Sequence, residues 1–135
     1  MNKAYVGTSL MEKDQARYII KLLEDNGYTI TYDWTTHGRL TNIEELKECC
    51  YKEINGVKEC DLFFMYFPAR FGTHVELGIA LALDKQIILV VDKTNPNFSN
   101  SNFEEKTFYQ ADTVIRFDNL QSAVAYAKSL IKDTK

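Results

Sequence analysis

The sequence predicts an α/β fold, a three-layer sandwich built on a five-stranded, mainly parallel sheet. Short apolar and β-branched runs alternate along the chain with longer segments whose apolar residues recur every three to four positions. That alternation is typical of strands connected by helices. The third predicted strand is a continuous apolar run, which suits a strand buried on both faces of a parallel sheet. The chain has 135 residues, the usual size of one domain, so we expect a single domain over residues 1–135.

The first half of the chain predicts two strand–helix units. Residues 4–6 are an apolar run that ends at Gly7 and predict the first strand. In residues 13–26 the apolar side chains recur at i, i+3, i+4 and i+7, which predicts a helix with Ala16, Ile19, Ile20 and Leu23 on its inward face. Residues 28–32 are rich in β-branched and aromatic types and predict the second strand. Residues 35–41 are polar and predict a loop. Residues 42–60 return to helical spacing and predict a helix with one apolar face, formed by Ile43, Leu46, Cys50, Ile54 and Val57.

The second half continues the alternation. Residues 61–66 are apolar after one acid and predict the third strand. Residues 67–72 predict a loop and residues 74–84 a helix, and the run Ile-Ile-Leu-Val-Val at 87–91 predicts the fourth strand. The remaining segments predict a loop over 95–105, a fifth strand over 113–117 and a helix over 120–132.

The order of these elements restricts the topology. Right-handed crossovers between parallel strands leave few arrangements, and we expect the flavodoxin/Rossmann-like strand order 2-1-3-4-5. In that order the direction of winding reverses between the first and third strands, and ligands bind at the carboxyl ends of the strands at this point. Residues 7–9 and 67–73 follow those two strands. The sequence therefore predicts one cleft with these loops as its floor and wall.

Composition argues against several classes of function. The net charge is −3 and Lys and Arg are scattered, so nothing predicts a nucleic-acid polymer as partner. No apolar run approaches the roughly 20 residues of a membrane span, and the N-terminus enters a strand pattern directly, so we expect no signal peptide. Cys49, Cys50 and Cys60 form neither an even set nor a Cys-x-x-Cys pair, which favours reduced thiols in a cytoplasmic protein. With two histidines in the chain, we expect no metal site and no other cofactor.

Glu76 is the residue most indicative of function. It lies in the run Gly72-Thr73-His74-Val75-Glu76, where the loop after the third strand passes into a helix at the predicted cleft. The helix N-terminus is expected to keep its carboxylate ionised at neutral pH, and an ionised carboxylate facing a pocket can attack an electrophilic carbon. The spacing Thr73-x-x-Glu76 equally fits a capping box, in which Glu76 only closes the first turn. His74 is two positions from Glu76 and does not face it on a helix.

Two other segments offer polar groups to the same cleft. Glu53 lies on the helix before the third strand, and a carboxyl group that reaches the cleft can protonate a leaving group, as in glycoside cleavage. The alternative for Glu53 is an ordinary exposed glutamate on a helix. The turn Gly7-Thr8-Ser9 presents hydroxyl and amide groups that can hold a phosphate or a sugar hydroxyl, or it is only a turn with a serine cap.

Aromatic residues cluster at the ends of the predicted strands. We expect most of them in the core, with one or two at the cleft able to stack on a planar ligand. These residues are Tyr5, Trp34, Tyr66, Phe67 and Phe71.

Parts of the chain resemble the nucleoside 2-deoxyribosyltransferase family. The segments that carry the resemblance are Tyr5-Val6-Gly7-Thr8, Glu53-Ile54-Asn55-Gly56-Val57-Lys58-Glu59-Cys60-Asp61 and Gly72-Thr73-His74-Val75-Glu76-Leu77-Gly78-Ile79-Ala80-Leu81. The second and third are fairly specific together at this distance, although neither is specific alone. Asp14-Gln15 looks like the related 2'-deoxynucleoside 5'-phosphate N-hydrolases. The resemblance extends from Lys3 to about Phe117.

The resemblance implies a mechanism and partners. Glu76 matches the nucleophile that attacks the anomeric carbon of 2-deoxyribose. Glu53 matches an acid, usually Asp, that helps to protonate or hold the departing base, and Tyr5 matches a tyrosine that orients the nucleophile. The resemblance also implies a nucleoside or nucleotide substrate, a nucleobase acceptor and a homo-oligomer with sites across subunit contacts. The substrate-binding residues that we expect are Gly7, Thr8, Ser9, Trp34, Arg70, Gly72 and Thr73.

Three features depart from the family pattern. Arg70 stands six residues before the nucleophile, where the family often has an acid, and it favours a phosphate and hence a nucleotide substrate. The loop over residues 67–72 is shorter, and Asp112-Thr113 stand where family members send an asparagine into a neighbouring site. Transfer of deoxyribose between bases is the first hypothesis. An N-glycosidase of deoxynucleoside 5'-monophosphates and a non-catalytic nucleotide-binding module are the alternatives.

Overall fold

The computed structural model describes residues 2–96, 98 and 107–131. Strands and helices alternate along these ranges. The strands are β1 Lys3–Gly7, β2 Thr29–Ile30, β3 Leu62–Phe67, β4 Gln86–Val91 and β5 Val114–Phe117, and the helices are α1 Lys13–Asp25, α2 Ile43–Glu59, α3 Phe71–Ala82 and α4 Leu120–Ser129. Short 3₁₀ turns cover Leu10–Glu12, Trp34–Thr36 and Thr107–Gln110.

The five strands form one sheet in the order β2-β1-β3-β4-β5, and all four pairings are parallel. The predicted fold class and strand order are therefore confirmed. Val6 pairs with Phe64, which pairs in turn with Ile88, so the centre of the sheet is apolar. Every residue of β3 is buried, because helices cover both faces of a parallel sheet.

Two pairs of helices cover the sheet. α1 contacts α4, and α2 contacts α3. These two pairs of helices form the two outer layers. The predicted inward face of α1 is confirmed, since its buried residues are Ala16, Ile19, Ile20 and Leu23. The predicted inward face of α2 is wrong at its start, because Ile43 is 73% and Leu46 43% exposed.

Some boundaries differ from the expectation. β2 has two residues rather than five, and it lies at the edge of the sheet, where it pairs with β1 alone. α3 begins at Phe71, three residues before the predicted start. The last helix ends at Ser129 rather than at 132, and residue 132 lies outside the described residues. Most of the predicted loop over 95–105 also lies outside them.

In the described part of the chain, none of the helices has both the length and the apolar character needed to cross a bilayer.

Candidate active site

A cavity of about 390 Å³ opens where β1 and β3 end side by side. The loops after these two strands contribute to its lining, as the switch point of this topology predicts. α2 and the segment after β2 supply other parts of the wall. The lining residues are Thr8, Ser9, Leu10, Met11, Trp34, Arg39, Glu53, Arg70, Gly72, Thr73 and Glu76.

Tyr5 and Glu76 form a buried pair at the bottom of this cavity. The Tyr5 hydroxyl donates to Oε2 of Glu76 at 2.6 Å. Tyr5 is 0% and Glu76 8% exposed, so Glu76 is at the cavity surface and Tyr5 lies behind it. Burial, and next the charge of Glu76, raise the pKa of the Tyr5 hydroxyl far above its ordinary value. Tyr5 therefore stays protonated and acts as a permanent donor to the carboxylate.

Gly56 of α2 makes room for this tyrosine. A Cβ atom at position 56 would lie 2.9 Å from Cδ2 of Tyr5, closer than real side chains approach each other. On its other side the Tyr5 ring stacks on Phe63 of β3, with ring centroids 5.9 Å apart. The Tyr5 ring thus packs against Gly56 of α2 and Phe63 of β3. In this position its hydroxyl donates to Glu76.

The protonation state of Glu76 differs from the expectation. Burial raises its pKa to about 8, the bond from Tyr5 opposes the rise, and the charge of Glu53 adds to it. Because α3 begins at Phe71, Glu76 lies in the second turn, where the field of the helix terminus has fallen off. The prediction that the helix N-terminus keeps this carboxylate ionised at neutral pH is therefore wrong.

The capping-box interpretation is also wrong. The N-cap of α3 is Arg70, and no side chain caps it. The Thr73 hydroxyl donates instead to the backbone carbonyl of Thr8 at 3.0 Å. Thr73 thus joins the loop after β3 to the loop after β1, while the carboxylate of Glu76 is left for Tyr5 and the cavity.

The loop after β1 is held by further hydrogen bonds. The carbonyl of Pro68 accepts from the Thr8 hydroxyl at 3.1 Å and from the Ser9 amide at 3.2 Å. The Ser9 hydroxyl accepts from the Met11 amide at 3.2 Å and caps the short 3₁₀ turn. The alternative interpretation, a turn with a serine cap, is therefore confirmed for Ser9. Both side chains still border the cavity, and the Ser9 proton is not used by the cap.

Gly7 is packed behind the cavity surface. A Cβ atom there would lie 3.0 Å from Cζ of Phe63, 3.1 Å from Cγ2 of Thr73 and 3.4 Å from Oε1 of Glu76. The position thus requires glycine for close approach to the nucleophile candidate. The structure does not place Gly7 in the cavity lining, unlike Gly72, which borders it directly.

Glu53 enters the cavity from α2. Its side chain is half-buried, and burial raises the pKa of its carboxyl group while His37 opposes the rise. Glu53 and Glu76 thus line one cavity, and burial favours the neutral acid at both positions. Two carboxyl groups that line one cavity can serve as acid and base in a reaction there.

Trp34 forms part of the wall after β2. Its indole Nε1 donates to the carbonyl of Val6 at 2.7 Å, and it is 6% exposed. Asp33 caps the turn that carries it, accepting from the Thr35 amide at 2.9 Å. The indole is therefore fixed, with its remaining surface at the cavity. Of the other aromatic candidates, neither Tyr66 nor Phe67 lines the cavity, and Phe71 is 93% exposed.

Two arginines line the cavity from different segments. Arg70 precedes α3, and Arg39 follows the Trp34–Thr36 turn. Within residues 2–96, 98 and 107–131, neither guanidinium forms an ion pair, although Arg70 contacts Sδ of Met11 at 3.5 Å. Sequence reasoning missed Arg39, because a single cation in a polar loop belongs to no motif. Leu10 and Met11, which also line the cavity, were missed because they belong to no motif either.

The described residues contain no group of three or more His, Cys, Asp or Glu side chains arranged to hold a metal ion.

Comparison with known proteins gives a family match and a solved structure of similar fold. The sequence model described as nucleoside 2-deoxyribosyltransferase matches residues 4–115. No curated protein matches the chain. Among solved structures, the fold is similar to that of the CMP N-glycosidase BcmB of Clostridium botulinum, with a TM-score of 0.61 and 22% identity over 96% of this chain and 98% of that one. The prediction of an enzyme of the glycosyltransferase or N-glycosidase class is confirmed. Because the family match spans most of the sequence, the chain belongs to the nucleoside 2-deoxyribosyltransferase family.

Proposed function

We propose that this enzyme cleaves the N-glycosidic bond of a nucleoside 5'-monophosphate. The observation that carries the proposal is the joint lining of one cavity by two carboxyl groups, Glu53 and Glu76, and two guanidinium groups without ion-pair partners in the described residues, Arg39 and Arg70. The carboxyl groups supply the chemistry and the guanidinium groups suit a phosphate. The chemistry of the carboxyl groups and the binding of phosphate by the guanidinium groups depend on different physical properties.

The carboxyl groups act in two steps. In the first, the ionised carboxylate of Glu76 bonds to the anomeric carbon, the bond from that carbon to the base breaks, and its electron pair leaves with the base. The proton of Glu53 goes to the base, which lowers the cost of its departure. In the second step water attacks the anomeric carbon, the bond to Glu76 breaks, and Glu53 accepts the proton of the water. Both carboxyl groups then return to their initial states.

Tyr5 positions the nucleophile for this sequence. Its hydroxyl donates to one carboxylate oxygen, Oε2, and so leaves Oε1 for the anomeric carbon. A buried donor also stabilises the ionised form of Glu76 that attacks, against the burial that disfavours it. These two effects assign Tyr5 a role in both the orientation and the charge of Glu76.

The two arginines bind the phosphate in this proposal. Guanidinium groups donate in pairs to phosphate oxygens, and such charge-assisted bonds are stronger than neutral ones. The hydroxyl of Ser9 adds a donor at the same cavity. The similar Clostridium botulinum protein is a CMP N-glycosidase, which agrees with a nucleotide as substrate.

The test is an incubation with ribo- and deoxyribonucleoside 5'-monophosphates and with the matching nucleosides, followed by chromatography. We expect free base and a sugar 5-phosphate from a monophosphate and at least about tenfold slower release from its nucleoside, since one charge-assisted hydrogen bond contributes about 1.5–3 kcal/mol. Equal rates for both, or release from nucleosides alone, contradict the phosphate assignment. Glu76→Gln is the inactive control and the exposed Glu24→Gln the matched one.

Transfer of the sugar to another nucleobase is the second candidate, and the match to the transferase family favours it. It uses the same first step, with a base rather than water as the second attacking group. Addition of a free acceptor base to the incubation distinguishes the two, because transfer produces a new nucleoside or nucleotide. A non-catalytic binding module is the third, and it predicts binding without any release of base.

We further propose that the enzyme is a homo-oligomer. Large apolar side chains on α2 and α3 are exposed, among them Ile43 at 73%, Tyr51 at 59%, Phe71 at 93% and Val75 at 64%. Helices α2 and α3 contact each other, and large apolar side chains exposed on two neighbouring helices suit a surface that packs against another subunit. Analytical ultracentrifugation tests the proposal. We expect a mass above that of the chain and a shift toward monomer in Phe71→Ser, and a monomer at micromolar concentration contradicts it.

A further inference from the structure

His74 connects the start of α3 to a segment that is distant in sequence. Its Nδ1 lies 2.8 Å from the carbonyl oxygen of Arg70, and its Nε2 lies 2.7 Å from the hydroxyl of Tyr109. The imidazole also stacks on the Tyr109 ring, with centroids 5.8 Å apart and an angle of 18° between the planes. Tyr109 is 2% exposed, so one end of this connection is anchored in the core.

The partners determine the tautomer of His74. A carbonyl oxygen only accepts, so Nδ1 carries the proton and donates to Arg70. Nε2 faces the hydroxyl of Tyr109, a group that can both donate and accept. Burial raises the pKa of Tyr109 to about 12, so this hydroxyl keeps its proton. The imidazole thus bonds to both partners at once.

The backbone around Arg70 is held by hydrogen bonds from both sides. Arg70 is the N-cap of α3, its side chain is exposed, and no side chain caps the helix there. Its carbonyl accepts from the His74 amide at 3.1 Å as well as from the imidazole. The carbonyl of Pro68, two residues earlier, is bound to Thr8 and Ser9. The segment that carries the Arg70 guanidinium is therefore held on one side by the loop after β1 and on the other by His74.

We propose that His74, supported by Tyr109, is a positioning residue that holds the backbone of Arg70 so that its guanidinium meets the 5'-phosphate of the substrate. The inference rests on the proposed function, since it concerns the phosphate part of the same site. His74 does not line the cavity and touches no reacting atom. Its effect is on the discrimination between phosphorylated and unphosphorylated ligands.

Binding of 2-deoxyribose 5-phosphate and ribose 5-phosphate, each compared with its unphosphorylated sugar, tests the inference without knowledge of the base. Calorimetry or NMR titration is applied to the wild type, Arg70→Ala, His74→Phe and the double variant. His74→Phe keeps an aromatic ring beside Tyr109 and removes both hydrogen bonds. We expect it to weaken binding of the sugar phosphates about tenfold and to leave binding of the free sugars unchanged.

The double variant separates positioning from a general structural role. If His74 acts through Arg70, the double variant binds the sugar phosphates no more weakly than Arg70→Ala alone. Additive losses, or equal losses for sugars and sugar phosphates, overturn the inference. A selective loss in Arg70→Ala with no change in His74→Phe overturns the inference and leaves the proposed function standing. No preference for the phosphate in the wild type overturns the proposed function and the inference with it.

Two milder variants test the inference if His74→Phe does not fold. His74→Asn retains a donor near the position of Nδ1, and we expect it to recover most of the phosphate preference. Tyr109→Phe removes one hydroxyl, and we expect a loss in the same direction of about threefold. Tyr126→Phe is the matched control, since within the described residues its hydroxyl forms no hydrogen bond. An effect of Tyr126→Phe equal to that of Tyr109→Phe overturns the inference.

Discussion

The hydroxyl of Tyr5 donates to the carboxylate of Glu76 at 2.6 Å, although 71 positions separate the two residues in the sequence. The pair exists because β1 and β3 are adjacent in the sheet and α3 follows β3 directly. Burial of the pair raises the pKa of Glu76 to about 8. The bond from Tyr5 thus holds Glu76 in place, while burial disfavours the ionised form of Glu76 that attacks. Experiments can measure these two opposing effects.

Tyr5→Phe is expected to shift the pH dependence of the reaction. Glu76 attacks as a carboxylate, so kcat/KM should rise with pH through the pKa of Glu76 near 8. The Tyr5 bond lowers that pKa, and its loss should move the rise to higher pH. We expect at least about tenfold lower kcat/KM at pH 7, with partial recovery above pH 9. Tyr126→Phe is the control, and an unchanged profile in Tyr5→Phe contradicts the assignment.

Glu76→Gln is expected to stabilise the protein at alkaline pH. The folded-state pKa of Glu76 is raised from 4.5 to about 8, so the native state retains a proton that the unfolded chain has lost over this interval. The resulting stability is fully present below about pH 4.5 and is lost as pH rises toward 8 and beyond. Glutamine has no such dependence.

Urea unfolding between pH 5 and pH 9 measures this effect. The free energy of unfolding of Glu76→Gln should exceed that of the wild type by a margin that grows with pH, to on the order of a few kcal/mol at pH 9. Glu24→Gln on the exposed side of α1 should stay within about 0.5 kcal/mol of the wild type throughout. A margin that shrinks as pH rises refutes the raised pKa.

Gly56→Ala should displace Tyr5, which lies behind Glu76 in the site. Its Cβ would lie 2.9 Å from Cδ2 of Tyr5 and 3.0 Å from Cβ of Tyr32, and the Tyr5 ring is already packed on Phe63. Overpacking of this kind costs about 1–3 kcal/mol, and a displaced Tyr5 should lower kcat as well.

Gly78→Ala is the matched control for this prediction. Gly78 lies in α3, and among the described residues no atom beyond its chain neighbours and its own helix backbone is within 4 Å of a Cβ built there. Alanine is the better helix former by up to about 1 kcal/mol, so the substitution should stabilise the protein and leave kcat unchanged. Denaturant unfolding and initial rates compare the two variants, and equal effects would show that space around Tyr5 is not limiting.

Patterns along the chain were sufficient to predict the fold, because strands and helices are indicated by the local spacing of apolar residues. The apolar run of β3 and the 3.6-residue periodicity of α1 indicate their elements directly, and the handedness of crossovers restricts the order of strands. The start of α3 was missed because no side chain caps it, and Arg70 carries no cap signal. The exposure of Ile43 and Leu46 was missed because periodicity shows which residues share a face and not whether that face meets the sheet.

The candidate site was predictable only in part. Glu76 and Glu53 were candidates from their positions near the predicted cleft, whereas the role of Tyr5 followed only from the resemblance to a family. The structure brings all three to one place. Arg39 has no such motif. The raised pKa of Glu76 depends on burial by side chains far away in sequence, which no local pattern records.

The assignment of Glu76 as nucleophile makes a prediction about a covalent intermediate. A 2-fluoro-2-deoxyarabinosyl nucleoside or its 5'-monophosphate should trap the sugar on the enzyme, because the electron-withdrawing fluorine disfavours the positive charge that develops when the intermediate breaks down. Intact-protein mass spectrometry should show one added fluorosugar per chain, and peptide mapping should place it on Glu76. Glu76→Gln should show no adduct, while Glu53→Gln should still show one. An adduct on Glu53, or none with an active enzyme, excludes the nucleophilic role of Glu76.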